Sequence, residues 1–148
     1  MEESNDFKKA VGMTLKLLSR SDKTILQIRQ KLTEFDEKTV SNVIEYLKKK
    51  RFVDDERFAE QYYQSRKKKK WGSLKIRLSL KNLGILDEII DCTMKDIDSY
   101  EREAALELLK KRKKTDNRDK NIRFLLSRGF SYESIMNILK DDSGNVTN

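Results

Sequence analysis

The chain has 148 residues, 36% of them hydrophobic and 39% charged, with a net charge of +8. It holds no histidine, no proline, one cysteine and five glycines, which excludes the usual zinc spacings, Cys/His or Ser/His nucleophiles and a disulfide framework. Lys, Glu, Leu, Arg and Ile dominate, and no run approaches the roughly 20 apolar residues of a membrane span, so an all-α protein with a thin core and no membrane partner is expected.

The first six residues, Met1-Glu2-Glu3-Ser4-Asn5-Asp6, are polar and carry no signal-peptide pattern, so residues 1–6 are expected to be disordered. With the lone Cys92 between Ile90 and Met94, where packing or a passive position is expected, this fits a reducing cytoplasm. A first helix then places Ala10, Met13, Thr14, Leu17 and Leu18 on one face. A second carries Ile28-Arg29-Gln30-Lys31-Leu32 and ends at Glu34-Phe35-Asp36. A third shows Val40, Val43, Ile44 and Leu47 at helical spacing.

The same three-part pattern recurs twice. Phe58, Ala59, Tyr62 and Tyr63 mark the next first helix; Ile76-Arg77-Leu78-Ser79-Leu80 follows; then Leu83-Gly84-Ile85 breaks the chain before three turns bearing Leu86, Ile89, Ile90, Thr93, Met94 and Ile97. The last copy runs through Ala104, Ala105, Leu108 and Leu109, then Ile122-Arg123-Phe124-Leu125-Leu126, Arg128-Gly129-Phe130, and Ile135, Ile138 and Leu139. Each Ile-Arg-x-x-Leu anchor lies 48 or 46 residues from the previous one. Gly84 and Gly129 fall where a left-handed residue ends a helix. Asp36, Asp87 and Ser131 suit helix starts. The expected units are 7–51, 52–98 and 99–141, with 142–148 disordered. A unit this small cannot bury its apolar face alone, so tandem three-helix repeats stacked into an elongated, curved array are expected.

Charge is not spread evenly. Between Gln61 and Leu86 there is no Asp or Glu, yet eight cations: Arg66, Lys67, Lys68, Lys69, Lys70, Lys75, Arg77 and Lys81. Taking these from the 33 Lys and Arg leaves 25, matching the 25 Asp and Glu. Eight residues before each anchor Ile stand Arg20, Lys68 and Lys114. They belong to the clusters Arg20 and Lys23, Arg66–Lys70, and Lys110-Lys111-Arg112-Lys113-Lys114, each at the joint between a unit's first and second helices. Stacking should bring these joints to one edge, giving a basic stripe that is weak in the first unit and dense in the others. Lysines near a helix C-terminus gain a few tenths of a kcal/mol, but consecutive cations repel. A nucleic acid or an acidic protein face would offset that. Exchanging Lys67–Lys70 for Ser is expected to flatten the salt dependence of DNA binding. Trp71 could stack on an unpaired base, but as the one aromatic beside the run it reads better as an anchor for the second helix.

No glycine-rich phosphate loop is present. Asp54-Asp55 and Asp141-Asp142 are the candidate carboxylate pairs for a metal-dependent nuclease. Capping of the helix carrying Phe58 explains Asp54 better, so neither metal nor cofactor is expected.

Residues 52–63, reading Phe52-Val53-Asp54-Asp55-Glu56-Arg57-Phe58-Ala59-Glu60-Gln61-Tyr62-Tyr63, followed by Arg66, Gly72, Ile76, Leu80 and Gly84-Ile85, resemble the RecX family of bacterial regulatory proteins. Leu17-Leu18-Ser19-Arg20-Ser21 fits as well, and the resemblance covers residues 8–141, more loosely in the last unit. It implies tandem three-helix repeats and a non-enzymatic, monomeric protein. The implied partners are the RecA recombinase filament, whose growth, ATPase, strand exchange and coprotease activities it would inhibit, and single- and double-stranded DNA. Members lie in the filament groove or block its extension. The chain departs from the family in having Ser73-Leu74 in place of the proline often found after Gly72, in lacking a first-unit glycine, and in its denser Lys67–Lys70 run. Within the hallmark segment Asp54 is expected to cap, Phe58 and Tyr62 to pack, and Arg57 to pair with a neighbouring acid. The rival readings are an autonomous helical nucleic-acid-binding module and the metal-dependent nuclease.

Overall fold

The computed structural model describes residues 4–112 and 117–146, the last six of them by backbone alone. The described residues form the helices α1 (Asn5–Leu18), α2 (Ile25–Lys31), α3 (Glu37–Lys49), α4 (Asp55–Lys68), α5 (Ser73–Asn82), α6 (Asp87–Thr93), α7 (Ile97–Lys111), α8 (Arg118–Ser127) and α9 (Tyr132–Val146), with no strand among them. Local chemistry sets most of the starts. Ser4, Asp36, Asp54 and Asn117 accept from the backbone N–H three residues on, and Thr24 with Gln27 forms a reciprocal capping box. Ser131 does the same for Ser134. Asp87 is the first residue of α6; its N-cap is Leu86. Two expectations of disorder are corrected. The Ser4 cap and Asp6 in the first turn make Asn5 and Asp6 helical, and α9 carries residues 142–146.

Three apolar clusters form, each from three consecutive helices. The first holds Ala10, Ile28, Leu32, Val43 and Leu47; the second Ala59, Tyr63, Ile76, Leu80 and Ile90; the third Ala105, Leu125, Phe130 and Ile135. The closest helix pairs are α1 with α3, α4 with α6, and α7 with α9. The three clusters stay separate instead of merging into one core, so the described residues form a stack of small units and not one globule.

The third-unit anchor is displaced by one residue. Leu125 is fully buried, while Leu126 is 42% exposed. The equivalents of Ile28-x-x-x-Leu32 and Ile76-x-x-x-Leu80 are thus Asn121 and Leu125, and the N-caps Thr24, Gly72 and Asn117 then share one offset. The third amphipathic run of the second unit also ends early. Helix α6 stops at Thr93, and Ile97 opens α7 while still packing on the second cluster. Leu86 is exposed, not packed, and of the two readings for Cys92 its exposure excludes packing.

One joint, built twice, holds the units together. At the first, the Thr24 hydroxyl donates to the Leu83 carbonyl (2.6 Å), and Asp55 accepts from the Ile25 N–H (3.0 Å). At the second, the Gly72 N–H donates to the Arg128 carbonyl (2.9 Å), the Leu74 N–H to the Gly129 carbonyl (2.9 Å), and Glu101 accepts from the Ser73 N–H. In both, the start of one unit's second helix meets the turn after the next unit's second helix. In both, the acid that caps it lies four residues before a fully buried alanine, Asp55 before Ala59 and Glu101 before Ala105. Gly84 and Gly129, at φ 88° and 90°, serve twice over. They supply the left-handed turn, and they leave room where a Cβ would strike Leu26 or Lys75. The glycine-free turn at Glu34–Asp36 makes its recorded contacts within its own unit, through Lys9 to Glu34 (3.7 Å) and Lys9 over the Phe35 ring.

Candidate functional site

Helix α4 ends in the densest part of the basic run, and its cations have different employment. The Arg66 guanidinium is half-buried between the Tyr62 and Trp71 rings, 4.3 and 4.8 Å from their centroids. Its Nη1 donates to Ser65 (3.1 Å), and its Nε is buried without a partner. Lys67 lies over the Tyr63 ring (4.4 Å) and reaches Asp96 (3.5 Å). Asp96 also accepts from the Tyr63 hydroxyl (2.7 Å), which with Lys67 holds its carboxyl below the usual range, while burial and that bond push the Tyr63 phenol up. Lys70, at φ 61°, turns toward α7 and pairs with Glu107 (3.0 Å), to which Lys111 also reaches (3.6 Å); these two cations lower the Glu107 pKa. The Tyr100 hydroxyl donates to the Trp71 carbonyl (2.6 Å), and burial raises its pKa to about 12. These bonds tie α4 to α7. The end of the basic run is therefore part of the joint between the second and third units.

Other members of the expected stripe are engaged as well. Lys75 lies 4.1 Å from the Trp71 ring centroid, Arg77 pairs with Asp91 (2.6 Å), and Arg112 covers the Phe124 ring (4.2 Å) while donating to the Lys120 carbonyl. Trp71 is half-buried against the second core, as expected of an anchor. Lys113 and Lys114 lie outside the described residues. Lys68, Lys69 and Lys110 are exposed and have no side-chain partner among the described residues.

Arg20 and Lys23 form a group of their own. They border a recess between the end of α1 and α2, together with two lysines that the stripe omitted, Lys16 and Lys31. Lys16 was within reach of sequence reasoning, since it stands four residues before Arg20 in the last turn of α1; Lys31 required the folding of the first unit, which brings α2 beside the end of α1.

In the hallmark segment Asp54 caps α4 at the Arg57 N–H (3.1 Å), and Phe58 and Tyr62 pack on the second core. Arg57 does not pair with an acid; its guanidinium donates to the Arg51 carbonyl, which Arg51's left-handed turn (φ 58°) leaves without a helical partner. Asp55 is held above its ordinary range chiefly by burial, against the Ile25 N–H that favours its charge. Among the described residues no group of Asp, Glu and Cys side chains could hold a metal ion, and no helix is long and apolar enough to cross a membrane. The side chains of Asp141 and Asp142 lie outside the described set.

Comparison with known proteins gives one consistent match. The family model for the second three-helix domain of RecX matches residues 54–94. Regulatory protein RecX of Clostridium tetani is 34% identical, over 93% of this chain and 68% of that protein. Its counterpart in Clostridium acetobutylicum is 35% identical, over 94% and 71%. The chain thus spans about two thirds of the length of these relatives. The crystal structure of RecX from Lactobacillus salivarius superposes with a TM-score of 0.82 at 25% identity, covering 93% of this chain and 96% of the other.

Proposed function

We propose that this chain, which belongs to the RecX family of regulatory proteins, binds RecA recombinase filaments on DNA as a monomer and restrains their ATPase, strand exchange and extension. It acts by occupation, not by catalysis. The observation that carries this reading is the twice-built joint. Backbone hydrogen bonds and buried acid caps link the units into one extended body. Such a body can span neighbouring filament protomers and resist their relative movement. The restraint then equals the difference in its affinity for the resting and the moving arrangement.

The cations act as the adhesive on the nucleic-acid side. Of the expected stripe, Lys68, Lys69 and Lys110 beside the second joint and Arg20 and Lys23 in the first unit have no side-chain partner among the described residues, which supports a role for them on phosphate. The test is a titration of recombinase ATPase on single-stranded DNA. Inhibition should set in when the protein is far scarcer than recombinase protomers. Inhibition only at amounts that coat the DNA would favour the second reading, an autonomous nucleic-acid-binding module, for which the same free cations speak.

A further inference from the structure

The first unit, residues 7–51, carries 12 Lys and Arg against five Asp and Glu, and although Lys9 and Arg29 are paired with Glu34 and Glu37, a group of its other cations gathers at the end of α1. Lys16, Arg20 and Lys31 line a recess of about 260 Å³ together with Met13 and Leu17. Lys23 and Lys31, with Gln27, border a second of about 250 Å³ that shares Leu17. Lys31 and Leu17 line both, so the two recesses adjoin and together make a notch between the end of α1 and α2. No carboxylate lines it. Among the described residues none of the four charged side chains has an ion pair, a side-chain hydrogen bond or a ring contact, unlike Lys67, Lys70, Lys75, Arg77, Lys111 and Arg112. Asp22, between Arg20 and Lys23 in the chain, lies outside the lining.

The chemistry is that of a phosphodiester track. Four cations line the adjoining recesses together with Met13 and Leu17, so a phosphate chain can meet the ammonium and guanidinium groups while its sugars pack on the apolar side chains. The approach along α1 is also open. Gly12, one turn before Lys16, has nothing within 4 Å of where a Cβ would stand. A glycine inside an exposed helix costs roughly 0.5–1 kcal/mol relative to alanine, and clearance for a close backbone approach is a use for it.

We infer that the α1–α2 notch, bordered by Lys16, Arg20, Lys23 and Lys31, is a nucleic-acid backbone site and the chain's principal DNA contact. This deepens the proposed function and rests on its DNA-binding arm. Lys68, Lys69 and Lys110 make a secondary contact.

The experiment uses the full chain, without recombinase, and a fluorescein-labelled oligothymidylate read by anisotropy across salt. Exchanging Lys16, Arg20, Lys23 and Lys31 for Gln should lower the slope of log affinity against log salt by about 2.8, or 0.7 for each contact, with a loss on the order of 10²-fold at ~0.1 M salt. Exchanging Lys68, Lys69 and Lys110 should remove less than half of the wild-type slope. Lys67 and Lys70 are left intact because their loss would cut the ties to Asp96 and Glu107. Lys31→Gln alone, at an exposed position, should lower the slope by about 0.7, which keeps the test valid if the fourfold variant folds poorly. A wild-type slope in the notch variants, with the loss confined to the Lys68 set, overturns the inference and leaves the proposed function standing. A wild-type protein that fails to bind the oligonucleotide at low salt overturns both.

Discussion

Gly129→Ala should uncouple the second and third units. The backbone there has φ 90°, and a left-handed conformation costs an L-residue roughly 1–2 kcal/mol. The added methyl would also strike Lys75. Helix α5 must withdraw, stretching the bonds from the Gly72 N–H to the Arg128 carbonyl and from the Leu74 N–H to the Gly129 carbonyl, each worth about 1 kcal/mol net. The total, about 3–4 kcal/mol, is a large part of the 5–15 kcal/mol that stabilises a domain. Because the units touch at their joints, the loss should also split the transition. The single Trp71 sits at this joint, with its carbonyl bonded to Tyr100, so urea unfolding followed by tryptophan fluorescence and by far-ultraviolet dichroism reads the joint and the helices separately. The two curves should coincide in the parent and separate in the variant. A Gly129→Ala protein with coincident curves and an unchanged midpoint would refute the account of the joint.

Thr24→Val should cost about 2 kcal/mol at the first joint, since valine neither caps the Gln27 N–H nor reaches the Leu83 carbonyl; Thr24→Ser should recover most of it in the same melt. Gly12→Ala, in open space within α1, should stabilise by about 0.5–1 kcal/mol, and a lower melting temperature would show that an unrecognised contact occupies the site. Asp55→Asn tests pH dependence. Burial raises the Asp55 pKa from its ordinary 3.8, so folding favours the protonated form; the stability it contributes is full in acid and is lost as pH rises through the raised value. Asparagine keeps an oxygen for the Ile25 N–H without titrating, so the urea midpoints should converge in acid and separate toward neutrality, with the variant the more stable. Parallel profiles would refute this sign.

What was legible in the sequence was local. The Asp54 cap, the left-handed Gly84 and Gly129 and the periodic core of α3 depend on residues within a turn or two of one another, and all appear as expected. The third-unit register went astray because Ile122-Arg-x-x-Leu126 imitates the other anchors. The correcting signal was already present: glycine stands eight residues after Ile76 but seven after Ile122, and only Asn121 with Leu125 restores the interval. The end of α6 at Thr93 was hidden because Ile97 continues the helical spacing from a different helix. The fate of the cations was not legible at all. Whether Lys67 or Lys70 is free depends on Asp96 and Glu107, which lie far along the chain and arrive only when α7 packs. Runs of charge were therefore weighed by density, where commitment to a partner decides.

The joints give the molecule an electrical direction. A helix carries about half a positive charge at its start and half a negative charge at its end. At the second joint the start of α5 bonds the carbonyls that close α8, and at the first the start of α2 faces the carbonyl that closes α5. The opposed half-charges cancel at both junctions, whatever the angle between the helices. Among these second helices only the start of α8 and the end of α2 keep an uncancelled half-charge, and Arg29 and Lys31 in the last turn of α2 outweigh the negative one. Because a helix start meets only a helix end, a joint of this kind accepts its neighbour in one direction alone.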